Sequence, residues 1–342
     1  MTAHHLDATP ATTADVFDPR HAPVLTVDPG DTIVVQSLDA SGHLERQTVP
    51  GEVRPRMFPD PRGHCLTGPI AVRGARRGDM LALRIVELRT GDWGWTVAGA
   101  ADTRITRRLG LGAGAPSWLL WELDAERGVA TESRGFSRSL APFLGVMGVA
   151  PAAPGEHSTI PPRPASGGNI DCRDLVAGST LYLPVSVPDA LLYLGDGHAA
   201  QGDGEVGGTA IECPMRTEAV VDIVRDRPIR TIHAESPAGR ITFGFSADLD
   251  EAMGDALDAM VEWMCVLYDV TKPTALALAS TVVDLRVTQV ANGTWGVHAV
   301  LPNGVLSGGV GVEDSGAEDP GAEDPGAGGM LSGAADPGRI RA

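Results

Sequence analysis

The sequence predicts a mainly β fold, sandwich- or barrel-like, with an α+β C-terminal portion and a disordered acidic Gly/Pro-rich tail. Three observations carry that expectation. Short runs rich in Val, Ile and Leu alternate with polar residues and are punctuated by Gly, Pro and Asp between residues 24 and 224. Near residue 250 the apolar spacing changes from a period of two to the i, i+3, i+4, i+7 pattern of a helix. Beyond residue 306 both patterns stop, and repeats of Gly-Ala-Glu-Asp-Pro take over.

Residues 1–20 read as a flexible lead-in. Strands are expected at 24–27 and 32–38, flanking the turn signal Asp28-Pro-Gly-Asp31, and again at 70–73 and 80–88 around the 74–79 turn. Trp93, Trp95, Trp118 and Trp121 mark a glycine-containing segment that is either a cover over a site or a local core. Residues 150–166 are proline-rich and extended, and strands resume at 180–185 and 218–224. Leu249, Ala252, Met253, Ala256, Leu257, Met260, Val261, Met264 and Leu267 form one stripe, and Asp248 with Glu251 makes an N-terminal capping box. A second helix is expected from Thr271 to Val282, so the helical segment covers about 248–282. A strand from Asp284 then enters the Asn292-Gly293 turn. One domain is thus expected over 21–306. The tail, 307–342, carries seven acids against two arginines and too little apolar surface to fold.

The chain has 342 residues, is 43% hydrophobic and has a formal net charge of −17, which argues against nucleic acid and anionic membranes as partners. No apolar run reaches the ~18–20 residues of a membrane helix, and the first residues lack a signal-peptide pattern, so a cytoplasmic protein is the expectation. Cys65, Cys172, Cys213 and Cys265 are scattered without a C-x-x-C pair, which suits reduced, mostly buried thiols.

The most informative stretch is Leu194–Glu205, where Asp196, His198, Asp203 and Glu205 are spaced mainly by glycine and alanine. Small residues let the backbone turn tightly and gather polar heads. Carboxylates beside an imidazole suit either a divalent metal or proton transfer. Asp171, after Gly167-Gly-Asn169-Ile, is a second acidic point; the plain alternative is a turn in which Asn169 or Asp171 caps backbone amides. Asp171, Asp196 and His198 together offer an O/N/O donor set suited to zinc or a similar divalent ion. The stretch also resembles an acidic calcium loop, but its spacing departs from D-x-[DN]-x-[DN]-G and its histidine suits calcium poorly, so calcium ranks below zinc. For acid/base work Glu205 is the first choice, because a partly buried glutamate is tuned towards neutral pH, and Asp203 is the second.

The run from Gly167 to Glu212 resembles the signature region of the acetamidase/formamidase family. So do 67–75 (TGPIAVRGA), 143–151 (FLGVMGVAP), 158–162 (STIPP) and 283–293 (VDLRVTQVANG), in the same order, and the resemblance covers most of residues 20–303. Gly207-Gly208 depart from it, since the family pattern leads one to expect a cysteine there. The resemblance implies hydrolysis of short linear amides such as formamide or acetamide, with metal associated with some members. It also marks His64, which precedes a matching segment, as a further metal ligand. A homo-oligomer is the expected form of the protein. Lys272 is the one lysine, in a helix-start context that fits neither of two lysine-dependent amidase designs. A metal-activated water is the obvious other route to a carboxylate and ammonia. The alternatives are a lactam or other small C–N substrate on the same scaffold, and a metal- or small-ligand-binding protein without turnover.

Other candidates carry less. No G-x-S-x-G elbow is present, Cys172 is a weak nucleophile candidate, and Gly202–Gly208 lacks the lysine of a phosphate loop. His298 is expected to be structural, and His4, His5, His21 and His43 to lie at the surface.

Overall fold

Three strands set the frame: Leu66–Val72, Phe143–Val149 and Leu192–His198, each seven residues long and buried throughout. Strands buried on both faces belong to the middle of a structure rather than to its skin. In the computed structural model, which describes residues 2–99, 101–111 and 114–307, they form the heart of an eleven-stranded sheet. A second sheet of nine strands runs from Ala3–Leu6 at one edge to Asp284–Gln289 at the other. Ile33, Val35, Leu81, Leu83 and Val221 of this sheet share one core with Ile70, Phe143, Leu144, Leu192 and Leu194 of the other. The mainly β, two-sheet architecture is therefore as expected. The acidic tail, from 308 onward, lies outside the described residues.

The strands expected at 24–27, 32–38, 70–73, 80–88, 180–185 and 218–224 are all present, the third and fourth as the longer Leu66–Val72 and Met80–Thr90. Met215–Val224 pairs antiparallel with both Met80–Thr90 and Thr32–Ser37. The tryptophan-containing segment is a local core. Trp93–Ala98 pairs with Ser117–Asp124, which extends the larger sheet, and Trp95 and Trp121 are buried.

The C-terminal helices follow the apolar stripe closely. Leu249–Tyr268 starts at Asp248, whose side chain accepts from the Asp250 amide at 2.9 Å, and ends at Asp269 in left-handed conformation. Ala252, Ala256, Met260 and Met264 face the sheet, where Gly244 lets the helix come so close that a Cβ there would stand 1.9 Å from the Ala252 carbonyl. Met253, assigned to the stripe by spacing, is 41% exposed, because it stands at the edge of the buried arc. Lys272–Val282 is the second helix; Lys272 pairs with Asp258 on the surface and touches no cluster of catalytic type. Among the described residues no helix is long and apolar enough to cross a membrane.

Two expectations fail. The N-terminal segment is not a loose lead-in. Ala3–Leu6 adds in parallel to Thr32–Ser37, Thr13–Ala14 pairs with Leu66–Thr67, and Val16–Phe17 pairs with His157–Ser158. Strands of two to four residues are too short to show a period, yet Leu6, Val16 and Phe17 are buried. His43 is not a surface residue either. It is 1% exposed, its Nδ1 lies 2.7 Å from Asp39 Oδ2, and the Trp95 indole donates to the same carboxylate at 2.5 Å. A buried acid and two ring donors satisfy each other there.

Candidate active site

Strand register gathers the site. Leu192–His198 is antiparallel to Phe143–Val149, with Leu144 opposite Gly197 and Val146 opposite Gly195, so Gly145 faces Asp196. On its other side the strand meets Glu212–Cys213, with His198 opposite Glu212. Directly opposed residues bring their side chains together, and His198 Nε2 lies 3.3 Å from Glu212 Oε2 and 3.3 Å from Asp196 Oδ1. Asp171 arrives on the chain leaving Gly167–Asn169, its amide bonded to the Gly145 carbonyl at 3.2 Å. Glu205 comes from the following loop, whose Gly204 amide donates to the Thr288 carbonyl at 3.0 Å.

The result is two overlapping groups of donors. Asp171, Asp196 and His198 each offer an atom within 4.8 Å of the others, and so do His198, Glu205 and Glu212. All five residues are buried. Asp171, Asp196 and Glu205 adopt left-handed backbone, at φ of 54°, 60° and 42°. Such conformations cost about 1–3 kcal/mol each in a non-glycine residue and collect at functional sites.

Gly145 makes this packing possible. A Cβ there would stand 2.4 Å from Asp196 Oδ2, 2.7 Å from Asp171 Oδ1 and 2.8 Å from His198 Cε1. The glycine is the floor on which three donor side chains rest.

The electrostatics are those of a cluster short of positive charge. Burial pushes the Glu205 carboxyl well above the usual range, and neighbouring Asp171 adds to it. Burial likewise raises Asp171, against the pull of His198. Glu212 is pushed up to about 7 by burial. Asp196 is also penalised by burial, yet the His198 and His64 imidazoles hold it low. His198 is raised because Glu212 and Asp196 outweigh its burial. Both Asp171 carboxyl oxygens, Asp196 Oδ1, both His198 ring nitrogens and Glu212 Oε2 are buried without a hydrogen-bond partner. Buried polar atoms are ordinarily satisfied. Three carboxyls and one imidazole with unpartnered atoms fit a divalent cation that takes oxygen and nitrogen ligands.

The expected residues do not all fall in one place. Asp171, Asp196, His198 and Glu205 come together. His64 stands beside them, with Nε2 3.9 Å from Asp196 Oδ2 and a side chain 15% exposed; Thr159 Oγ1 holds its Nδ1 at 3.0 Å. Asp203 lies outside both donor groups, and its carboxylate is taken by Arg286 at 2.6 and 2.8 Å. His298 is buried, with Nδ1 2.8 Å from Thr288 Oγ1. Cys172 is buried and its thiol is pushed up by burial, so it is a poor nucleophile.

Sequence reasoning missed Glu212, Gln201 and Gly145. The Gln201 amide donates to the Asp171 carbonyl at 2.8 Å. Glu212 is linked to His198 by strand pairing rather than sequence spacing, and pairing partners are the signal that would have found it.

Comparison with known proteins identifies the family. The family model of the acetamidase/formamidase family matches residues 3–157 and 152–292. A Schizosaccharomyces pombe protein named as a candidate formamidase is 26% identical in an alignment 297 residues long, and the match covers 65% of this chain and 70% of that one. The crystal structure of an acetamidase from Bacillus halodurans superposes with a TM-score of 0.77 at 27% identity, covering 87% of this chain and 97% of the other. A gamma lactamase from Delftia acidovorans shares the fold alone, with a TM-score of 0.58 at 20% identity over 90% of this chain and 92% of that one. The chain belongs to the acetamidase/formamidase family of amide-hydrolysing enzymes.

Proposed function

We propose that this protein hydrolyses the C–N bond of short linear amides, formamide or acetamide in type, to a carboxylate and ammonia with the help of a divalent metal, zinc ahead of calcium. The observation that carries the reading is the buried donor cluster over Gly145, whose carboxylate and imidazole atoms lack protein partners. Asp171, Asp196 and His198 would hold the ion, with His64 at the rim as a further ligand. A bound divalent ion would supply Lewis acidity, polarising an amide carbonyl and lowering the pKa of water from about 16 to roughly 7.

The chain's own groups do the rest. Gln201 fixes the Asp171 backbone, and the Thr159 hydroxyl fixes the His64 ring. Glu205, whose proton affinity is raised by burial, is the proton carrier: as the carboxylate it would take a proton from the attacking water, and as the carboxylic acid so formed it would hand that proton to the departing amine. Burial of all five groups excludes bulk water and strengthens each charge interaction. A cytoplasmic setting and a homo-oligomeric form complete the proposal, and four free thiols suit a reducing compartment.

The test is ammonia release from formamide, acetamide, propionamide, urea and a γ-lactam, with metal content assayed before and after chelation. Chelator-sensitive release from one short linear amide is expected. Release from the lactam alone would move the substrate assignment to cyclic amides. No release from metal-loaded protein would leave a binding role.

A further inference from the structure

Arg286 lies in the edge strand Asp284–Gln289, far along the chain from the donor cluster. Its guanidinium joins the two arms that carry Asp171 and Glu205. One nitrogen reaches Asp174 Oδ2 at 2.5 Å, and two others reach Asp203 Oδ2 at 2.6 and 2.8 Å. Asp174 is three residues after Asp171, and Asp203 is two before Glu205. The same strand grips the second arm through its backbone. Gly204 donates to the Thr288 carbonyl at 3.0 Å, and Val290 donates to the Gly204 carbonyl at 2.8 Å. His298 Nε2 stands 3.7 Å from Asp174 Oδ2, its ring held by Thr288.

This clamp has something to resist. Asp171 and Glu205 are buried acids, each held in left-handed backbone at φ of 54° and 42°. Left-handed backbone in a non-glycine residue persists only where the surrounding structure fixes it, so each arm needs contacts that hold its acid in place. A planar guanidinium with a fixed fork sets the distance between two carboxylates in a way that a flexible ammonium does not. We propose that Arg286 is a positioning residue for the hydrolysis, setting the separation of Asp171 and Glu205 by bridging Asp174 and Asp203. The inference rests on the reading of Glu205 as the proton carrier.

The experiment uses full-length protein loaded with zinc. R286Q, R286K, D203N and the R286Q/D203N double variant are compared for kcat, KM, bound metal and melting temperature on the best amide. Misplacement of a reacting group by about 1 Å costs on the order of 100-fold in rate. R286Q is expected to lose at least about tenfold in kcat, with KM and bound metal close to wild type. R286K is expected to recover only part of that loss. Because Arg286 and Asp203 act as one device, the double variant should be no slower than the worse single variant. Three results overturn the inference: unchanged kcat in R286Q, a loss that merely tracks bound metal or melting temperature, or factors that multiply in the double variant. If R286Q does not fold, R286K and D203N decide by the same split between kcat and KM. Failure of the underlying reading shows separately, as full turnover in E205Q with metal retained.

Discussion

Replacing Gly145 by alanine tests the site at its floor. The backbone of Gly145 is not in the left-handed region, so alanine is conformationally allowed and the effect is one of space. The new Cβ would lie 2.4 Å from Asp196 Oδ2, and real Cβ contacts essentially never fall below 3.0 Å. The carboxylate must retreat by about 0.6 Å to clear it and about 1 Å to reach ordinary contact, and Asp171 and His198 must give way as well. None of the three has free room, since each is buried. A displacement of that size is expected to lower kcat/KM about 100-fold, equivalent to about 2.7 kcal/mol. Bound metal should fall in parallel, and the overpacking should cost about 1–3 kcal/mol of stability. Ammonia release, metal content and thermal unfolding of G145A would be measured beside G202A, where an added Cβ meets nothing within 4 Å. G202A should behave as wild type. A G145A protein with full activity and full metal would refute the claim that this cluster is the catalytic centre.

Two further predictions follow from the buried groups. Glu205→Gln removes the proton carrier while leaving Asp171, Asp196 and His198 in place; turnover should fall by about 10²–10⁴-fold with metal retained. Metal loss in step with activity would make Glu205 a ligand instead. His233 is fully buried, stacked on Tyr182 at 4.7 Å, and burial holds its pKa down to about 4. The unfolded chain, with a histidine pKa of about 6.5, takes up the proton first. Stability from this group is therefore complete above pH 6.5 and falls as the pH drops towards 4, with about 2 kcal/mol lost between pH 7 and 5. Denaturant unfolding of H233Q should show a shallower fall than wild type over that window, and identical slopes would exclude His233 as the cause.

How much of this was legible in the sequence depends on the range of the interaction. Alternation over six or more residues located Thr32–Ser37 and Met80–Thr90, and the helical stripe with Asp248 before it located Leu249–Tyr268. Asp196 and His198 could be grouped because small residues separate them, although they sit on the strand Leu192–His198 and not in the tight turn that spacing suggested. Asp171 joined them because glycines lead into it and its carboxylate completes an O/N/O donor set. Glu212 was not legible, because it reaches His198 by register, and register is not written in either segment alone. The buried Asp39–His43 pair also escaped notice, since each residue taken singly has the composition of a surface loop. Gly145 was invisible for a different reason. Its contribution is the absence of an atom, which acquires meaning only once Asp196, Asp171 and His198 surround it. Asp203 was grouped with Glu205 by proximity in sequence, yet the strand carrying Arg286 draws its carboxylate away.

The central claim is that Asp171, Asp196 and His198 hold a divalent metal on which amide hydrolysis depends. The most direct measurement is the stoichiometry of bound metal, by elemental analysis, in wild type, D196N and H198A, with ammonia release on the same samples. One tightly bound divalent ion per chain in wild type is predicted, with both metal and activity lost in folded D196N and H198A. Wild-type metal and turnover in both variants would contradict it.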